Sequence, residues 1–188
     1  MAMRLSKVPT TADELEAIPD DGNRYEIING ELFVSPSPSW THQRVVRELV
    51  LRLAPYADAI GLELIFAPLD VRASDDTQVE PDVFVVPLRD DGLRTTRWEP
   101  MARLLLAIEV LSPSTRRLDL ELKRELYLGQ GVREYWIVDA ETRSVSVWAP
   151  GHATPRVESD LLIWHPIVER ENLTIHLPTL FRIVHRGE

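Results

Sequence analysis

The chain has 188 residues, 44% of them hydrophobic and 27% charged, with no cysteine and a formal net charge of −9. That length and balance fit a single globular domain with a sizeable core and exclude a disordered or fibrous chain. The lack of cysteine excludes disulfides and thiolate metal sites, no apolar run reaches the roughly 20 residues of a membrane span, and the negative charge argues against bulk attraction to nucleic acid.

The first residues, Met1-Ala2-Met3-Arg4-Leu5-Ser6-Lys7, lack the apolar centre of a secretory signal, so a cytoplasmic protein is expected. Thr11-Ala12-Asp13-Glu14 is a capping-box pattern that opens a short helix ending near Pro19. A hairpin follows, Tyr25-Glu26-Ile27-Ile28 and Glu31-Leu32-Phe33-Val34 joined by the turn pair Asn29-Gly30. Ser35-Pro36-Ser37-Pro38-Ser39 breaks the second strand. A helix is predicted from Thr41 to Ala54, with Val45, Val46, Leu49, Val50 and Leu53 on its core face.

Leu62 to Ala67 and Leu69 to Arg72 read as strands separated by Pro68, and Asp75-Asp76-Thr77 as a turn. The turn leads through Glu80-Pro81-Asp82 into the apolar strand Val83-Phe84-Val85-Val86. A polar loop, Arg89 to Glu99, precedes the apolar run Leu104-Leu105-Leu106-Ala107-Ile108-Glu109-Val110-Leu111. Ser112-Pro113-Ser114-Thr115 closes that strand and caps a helix from Arg116 to Leu128, which Gly129 and Gly131 terminate. Tyr135 to Val138 and Val145 to Trp148 are hairpin partners; weaker strands at Leu161 to Trp164 and Leu173 to Leu177 and a helical turn near Leu180 complete the chain. The expected fold is a mixed α/β sheet flanked by helices, with a core over about 24–150 and a strand-rich extension over 151–188.

Glu109 is the informative residue. A carboxylate inside an otherwise apolar strand loses several kcal/mol of solvation unless it is paired, hydrogen-bonded or protonated. Asp82 opens a neighbouring strand, and two carboxylates at adjacent strand ends suit a hard divalent cation. In the following helix Asp119, Lys123 and Tyr127 form one stripe beside Leu118, Leu122 and Leu126, which places Lys123 at the edge of the core. Asp82, Glu109 and Lys123 together make a coherent phosphodiesterase set. The segment from Arg103 to Arg133 carries six basic residues against four acidic ones, mildly positive within an acidic chain.

These residues resemble the Uma-type restriction-endonuclease-like proteins of the PD-(D/E)XK nuclease superfamily. The resemblance runs in order through Arg24 to Leu32, Ser35 to Pro38 with His42-Gln43, Glu80-Pro81-Asp82, Glu109 to Thr115 with Asp119 and Lys123, and Gly131 to Trp136. It implies a restriction-endonuclease-like fold with an N-terminal hairpin, and Mg²⁺-dependent (or Mn²⁺-dependent) cleavage of nucleic acid, DNA above all, by a homodimer. By position Asp82 and Glu109 would be the paired acids. Leu111 stands where the superfamily carries its lysine, so Lys123 would replace it. Glu31 would be the additional metal-holding acid, ahead of Glu26 and Glu48. Ser112, Ser114, Thr115, Arg116 and His42 would hold phosphate, with Arg117 in support.

Three function classes follow, in this order of expectation: a metal-dependent endonuclease, a nuclease fold that binds or assembles without catalysis, and a metal-free acid/base hydrolase. Convergence of Asp82, Glu109 and Lys123 distinguishes the first.

Overall fold

The apolar strands of the sequence lie in the middle of a six-stranded sheet, because strands buried on both faces have no polar side to offer water. The computed structural model describes residues 8–18, 21–88, 97–98 and 100–187. Its strands are β1 (Arg24–Ile28), β2 (Glu31–Ser35), β3 (Leu62–Phe66), β4 (Asp70–Ser74), β5 (Thr77–Val79), β6 (Val83–Pro87) and β7 (Arg97–Trp98). They continue as β8 (Leu106–Val110), β9 (Glu134–Asp139), β10 (Ser144–Trp148), β11 (Arg156–Glu158), β12 (Leu161–Trp164) and β13 (Leu173–His176). The helices are α1 (Ala12–Glu16), α2 (Trp40–Ala59), α3 and α4 (Leu177–Val184); α3 begins with a π-helical stretch, Leu118–Lys123, and continues as Arg124–Gly129.

The six-stranded sheet runs β11-β10-β9-β8-β6-β3, a second sheet runs β2-β1-β5-β4-β7, and β12 pairs with β13. Only β8 and β9 in the larger sheet are parallel, joined by the α3 crossover. Alternation along β8 sends Ile108 and Val110 to one face and Ala107 to the other. The first face packs on Val45, Leu49 and Leu53 of α2 and on Leu180 and Phe181 of α4. The second packs on Ile28 of β1, Val71 of β4 and Tyr127 of α3.

The mixed α/β architecture and the N-terminal hairpin agree with the sequence reading. Asn29 and Gly30 take positive φ, 52° and 78°, the backbone that an Asn-Gly hairpin turn requires. Ser39 caps α2 by accepting from the His42 N–H at 3.2 Å. Pro55 does not end α2 as its missing N–H suggests. Beyond it Ala57 is fully buried, and the Tyr56 hydroxyl donates to the Glu171 carbonyl at 2.6 Å, so tertiary contacts hold the last turn. Short strands β5 and β11 escape the sequence reading. The expected loop Arg89 to Glu99 falls, apart from the backbone of β7, outside the described residues, as do Pro19 and the first seven residues.

The extension over 151–188 packs on the same core as α2: Leu162, Trp164, Leu177, Leu180 and Phe181 are buried there. Lys123 lies deeper than the core edge expected of it: Asp119, Lys123 and Tyr127 are buried, while of the apolar stripe Leu118 is buried, Leu126 half-buried and Leu122 exposed. The wider π turn rotates the polar stripe onto the sheet, where buried acids receive it. Among the described residues no helix is long and apolar enough to cross a membrane.

Candidate active site

The β6–β8 ladder places the two acids of the sequence reading side by side. Val83 pairs with Ile108 in an antiparallel register, so Asp82 and Glu109 lie one step further along adjoining strands. Glu109 is on the same face as Ala107 and is aimed at α3, and Lys123 Nζ donates to its Oε1 at 2.9 Å. The lysine therefore reaches the acid from the helix while Leu111, at the superfamily position, packs partly buried in the core. The Tyr127 hydroxyl donates to the same Glu109 oxygen at 3.1 Å.

Glu26 of β1 completes the ring around the lysine. Its Oε1 lies 2.8 Å from Lys123 Nζ and accepts the Glu80 N–H at 2.8 Å. Asp119 Oδ1 is 3.7 Å from Nζ, one helical turn before it. Asp82 is tied differently: Oδ2 accepts the Val110 N–H at 2.8 Å and meets His42 Nε2 at 3.0 Å, and Oδ1 accepts from Arg24 Nη1 at 3.0 Å.

The electrostatics follow from burial. Burial would raise the Asp82 carboxyl, but His42, Arg24 and the Val110 N–H bring it down to about 2. Glu109 is pushed well above the usual carboxylate range by burial, which Lys123 offsets only in part, and Asp119 is raised for the same reason. Burial alone would lower the Lys123 ammonium; Glu109, Glu26 and Asp119 outweigh it and raise it, so the lysine stays charged. Glu80 is raised to about 7, first by burial, although Arg24 pulls the other way.

Glu31 is placed elsewhere. It is exposed at the turn end of β2, paired in the ladder with Ile28, and the third acid beside Glu109 and Lys123 is Glu26. The family resemblance ranked Glu31 ahead, yet the signal for Glu26 was available: an acid beside the buried pair Ile27-Ile28 raises the same question as Glu109. Glu48 is buried in α2 but ion-paired with Arg47 and Arg52, both at 2.7 Å, and takes no part.

A cleft of about 630 Å³ opens onto Asp82 and is lined by Ser112, Ser114, Thr115 and His42 among others. Three of the four residues expected to bind phosphate with His42 thus share one wall. The Ser112 hydroxyl lies 3.0 Å from that of Ser114 and 2.9 Å from that of Thr115. Arg116 does not join them, because its Nη2 donates to Asp139 at 3.1 Å, and Arg117 pairs with Glu121 at 3.0 Å. Arg24, given no role from sequence, is the cation at the cleft floor.

Asp82, Glu109 and Glu26 offer only oxygen donors, the chemistry that a hard divalent cation takes. The acids Glu26, Glu80, Asp82, Glu109 and Asp119 outnumber the cations Arg24 and Lys123, and Glu26 Oε2 and Asp119 Oδ1 are buried with no hydrogen bond. Charge and donor type both fit a further cation. Among the described residues no trio of acidic or histidine side chains already stands in a ligating arrangement, since Asp82 and Glu109 are turned onto Arg24 and Lys123.

The Uma2 family model, described as "Putative restriction endonuclease", matches residues 12–175. Among solved structures the chain is similar to a protein from Anabaena variabilis described as "a putative nuclease belonging to DUF820". The two share 21% identity and a TM-score of 0.77 over 94% of this chain and 99% of that one, a likeness of fold. No curated protein matches.

Proposed function

The chain belongs to the Uma2 family, and from that premise we propose that it is a metal-dependent endonuclease hydrolysing phosphodiester bonds, with DNA as the expected substrate. The observation that carries this reading is the convergence of Asp82, just before β6, Glu109 of β8 and Lys123 of α3, with Nζ 2.9 Å from Glu109.

Asp82 and Glu109 would hold Mg²⁺ or Mn²⁺, with the main-chain carbonyl of Val110 as a neutral ligand. When bound, such a cation acidifies coordinated water and offsets charge on the phosphate. The chain's own groups supply the rest. Lys123 remains protonated, so it serves as a fixed positive charge that orients water and stabilises the anionic transition state rather than as a base. Glu26 and Tyr127 fix the positions of Lys123 and Glu109. Asp82 stays ionised across the physiological range. Ser112, Ser114 and Thr115 line the cleft, where their hydroxyls would hold the phosphate. Action as a homodimer in the cytoplasm is part of the same proposal; the exposed apolar residues Val157, Leu161 and Ile163 of the β11–β12 region supply a surface for it.

The test is cleavage of supercoiled plasmid, single-stranded DNA and RNA with Mg²⁺ or Mn²⁺. Wild type should cut and be silenced by a chelator, and Glu109→Gln and Lys123→Met should each be inactive while still folded. A wild type that cuts none of the three with either metal, but binds them, would leave a nuclease-fold binding module instead.

A further inference from the structure

The cleft beside Asp82 has an apolar wall that phosphodiester hydrolysis itself does not use. Pro36, Pro38, Phe66, Pro68 and Pro113 line it together with Arg24 and Asp82. Phe66 ends β3 and pairs with Val83, the residue after Asp82, while the next N–H, of Ala67, donates to the Asp82 carbonyl at 3.2 Å. Phe66 is 53% exposed and lines the same cleft as Asp82. Prolines carry no flexible side chain, so the wall beside the ring is preformed.

Arg24 offers the complementary half. Its guanidinium spends Nη1 on Asp82 Oδ1 at 3.0 Å and on the Glu80 carbonyl at 3.4 Å. Its Nε lies 4.0 Å from Glu26 and has no hydrogen bond, and Nη2 makes none of these contacts. With Nε buried beside Glu26, Nη2 is the guanidinium nitrogen left for an anion.

We propose that the cleft admits one unpaired nucleotide, its base stacked on Phe66 and its phosphate on Nη2 of Arg24, which makes the site selective for single-stranded or locally unpaired nucleic acid. The inference rests on the nuclease reading and deepens it. Charge supports it: duplex DNA presents a phosphate charge about every 1.7 Å and is held by many basic contacts. This chain carries −9 overall, and Arg24 is the one lysine or arginine among the described residues lining the cleft. A stacked base supplies affinity without further charge.

The experiment is fluorescence anisotropy with labelled single-stranded and blunt duplex oligonucleotides of one sequence, in Ca²⁺, with 2-aminopurine as a stacking reporter in the single strand. The single strand should bind about tenfold more tightly than the duplex, and the 2-aminopurine signal should change on binding. Phe66→Ala should weaken single-strand binding about tenfold and abolish that change, Phe66→Trp should restore both, and Arg24→Gln should reduce the salt slope by about one. Melting temperatures establish that each variant is folded. Duplex binding as tight as single-strand binding, or indifference to Phe66→Ala, overturns the inference while the nuclease reading stands. A wild type that neither binds nor cuts any nucleic acid overturns both.

Discussion

The two faces of the six-stranded sheet are built from the same alternating strands yet buried by opposite means. Under α2 and α4 the filling is aliphatic and aromatic, with Leu49, Trp136, Leu180 and Phe181 all essentially inaccessible. Under α3 and the smaller sheet, Tyr127 and Tyr135 pack beside Lys123, Glu26, Glu109 and Asp119, equally inaccessible. The first face gains free energy from removing apolar surface from water. The second spends part of that gain on desolvating charge, which pairing repays incompletely. The difference locates the face whose composition stability alone does not explain.

Lys123→Ala should break the comparison most severely, because it strands Glu26, Glu109 and Asp119 around an empty position. The expected cost is about 3–5 kcal/mol at pH 8, with loss of cleavage. Since the raised carboxyls of Glu109 and Asp119 take up protons readily, the defect should shrink toward pH 5 in urea melts. Leu49→Ala on the apolar face should cost about 3 kcal/mol through its cavity. That loss should not vary with pH, and cleavage well below the melting temperature should persist.

Glu80 sharpens the contrast through pH. Its folded carboxyl is raised to about 7 from 4.5, so the native state binds the extra proton and stability falls as pH rises from 4.5 through 7. Glu80→Gln should remove that slope in chelator-treated protein and be more stable than wild type above pH 7, by up to about 2 kcal/mol. Tyr127→Phe deletes one hydrogen bond to Glu109 and should cost about 1 kcal/mol by thermal denaturation. Smallest of all, Glu31→Gln should stay within about 0.5 kcal/mol of wild type and cut normally, whereas Glu26→Gln should not cut; equal cleavage by the two variants would remove Glu26 from the site.

Much of the candidate site could be read along the chain because strand alternation is local. An acid inside Ile108-Glu109-Val110 is conspicuous in one dimension, and the Asn29-Gly30 turn dictates its own backbone. The depth of Lys123 could not be read, because ideal helical spacing puts it at the edge of the core beside Leu118, Leu122 and Leu126, whereas the π turn together with waiting acids buries it fully and leaves Leu122 exposed. Glu31 was preferred over Glu26 on the resemblance alone, since the partner that makes a buried acid such as Glu26 tolerable is not visible in sequence.

By itself, then, the sequence determined the mixed α/β class, the strands that carry Asp82 and Glu109 and the helix that carries Lys123, since each depends on periodicity, turn chemistry or capping within a few residues. Tertiary structure alone decided that Lys123 lies 2.8 Å from Glu26 and 2.9 Å from Glu109, that Arg24 sits on Asp82, and that Arg116 turns away to Asp139. Those choices join residues from 14 to 97 positions apart, from Glu109 and Lys123 to Glu26 and Lys123. Over such separations the pairing of buried charges is settled by which sheets and helices pack together, not by any local preference of the chain.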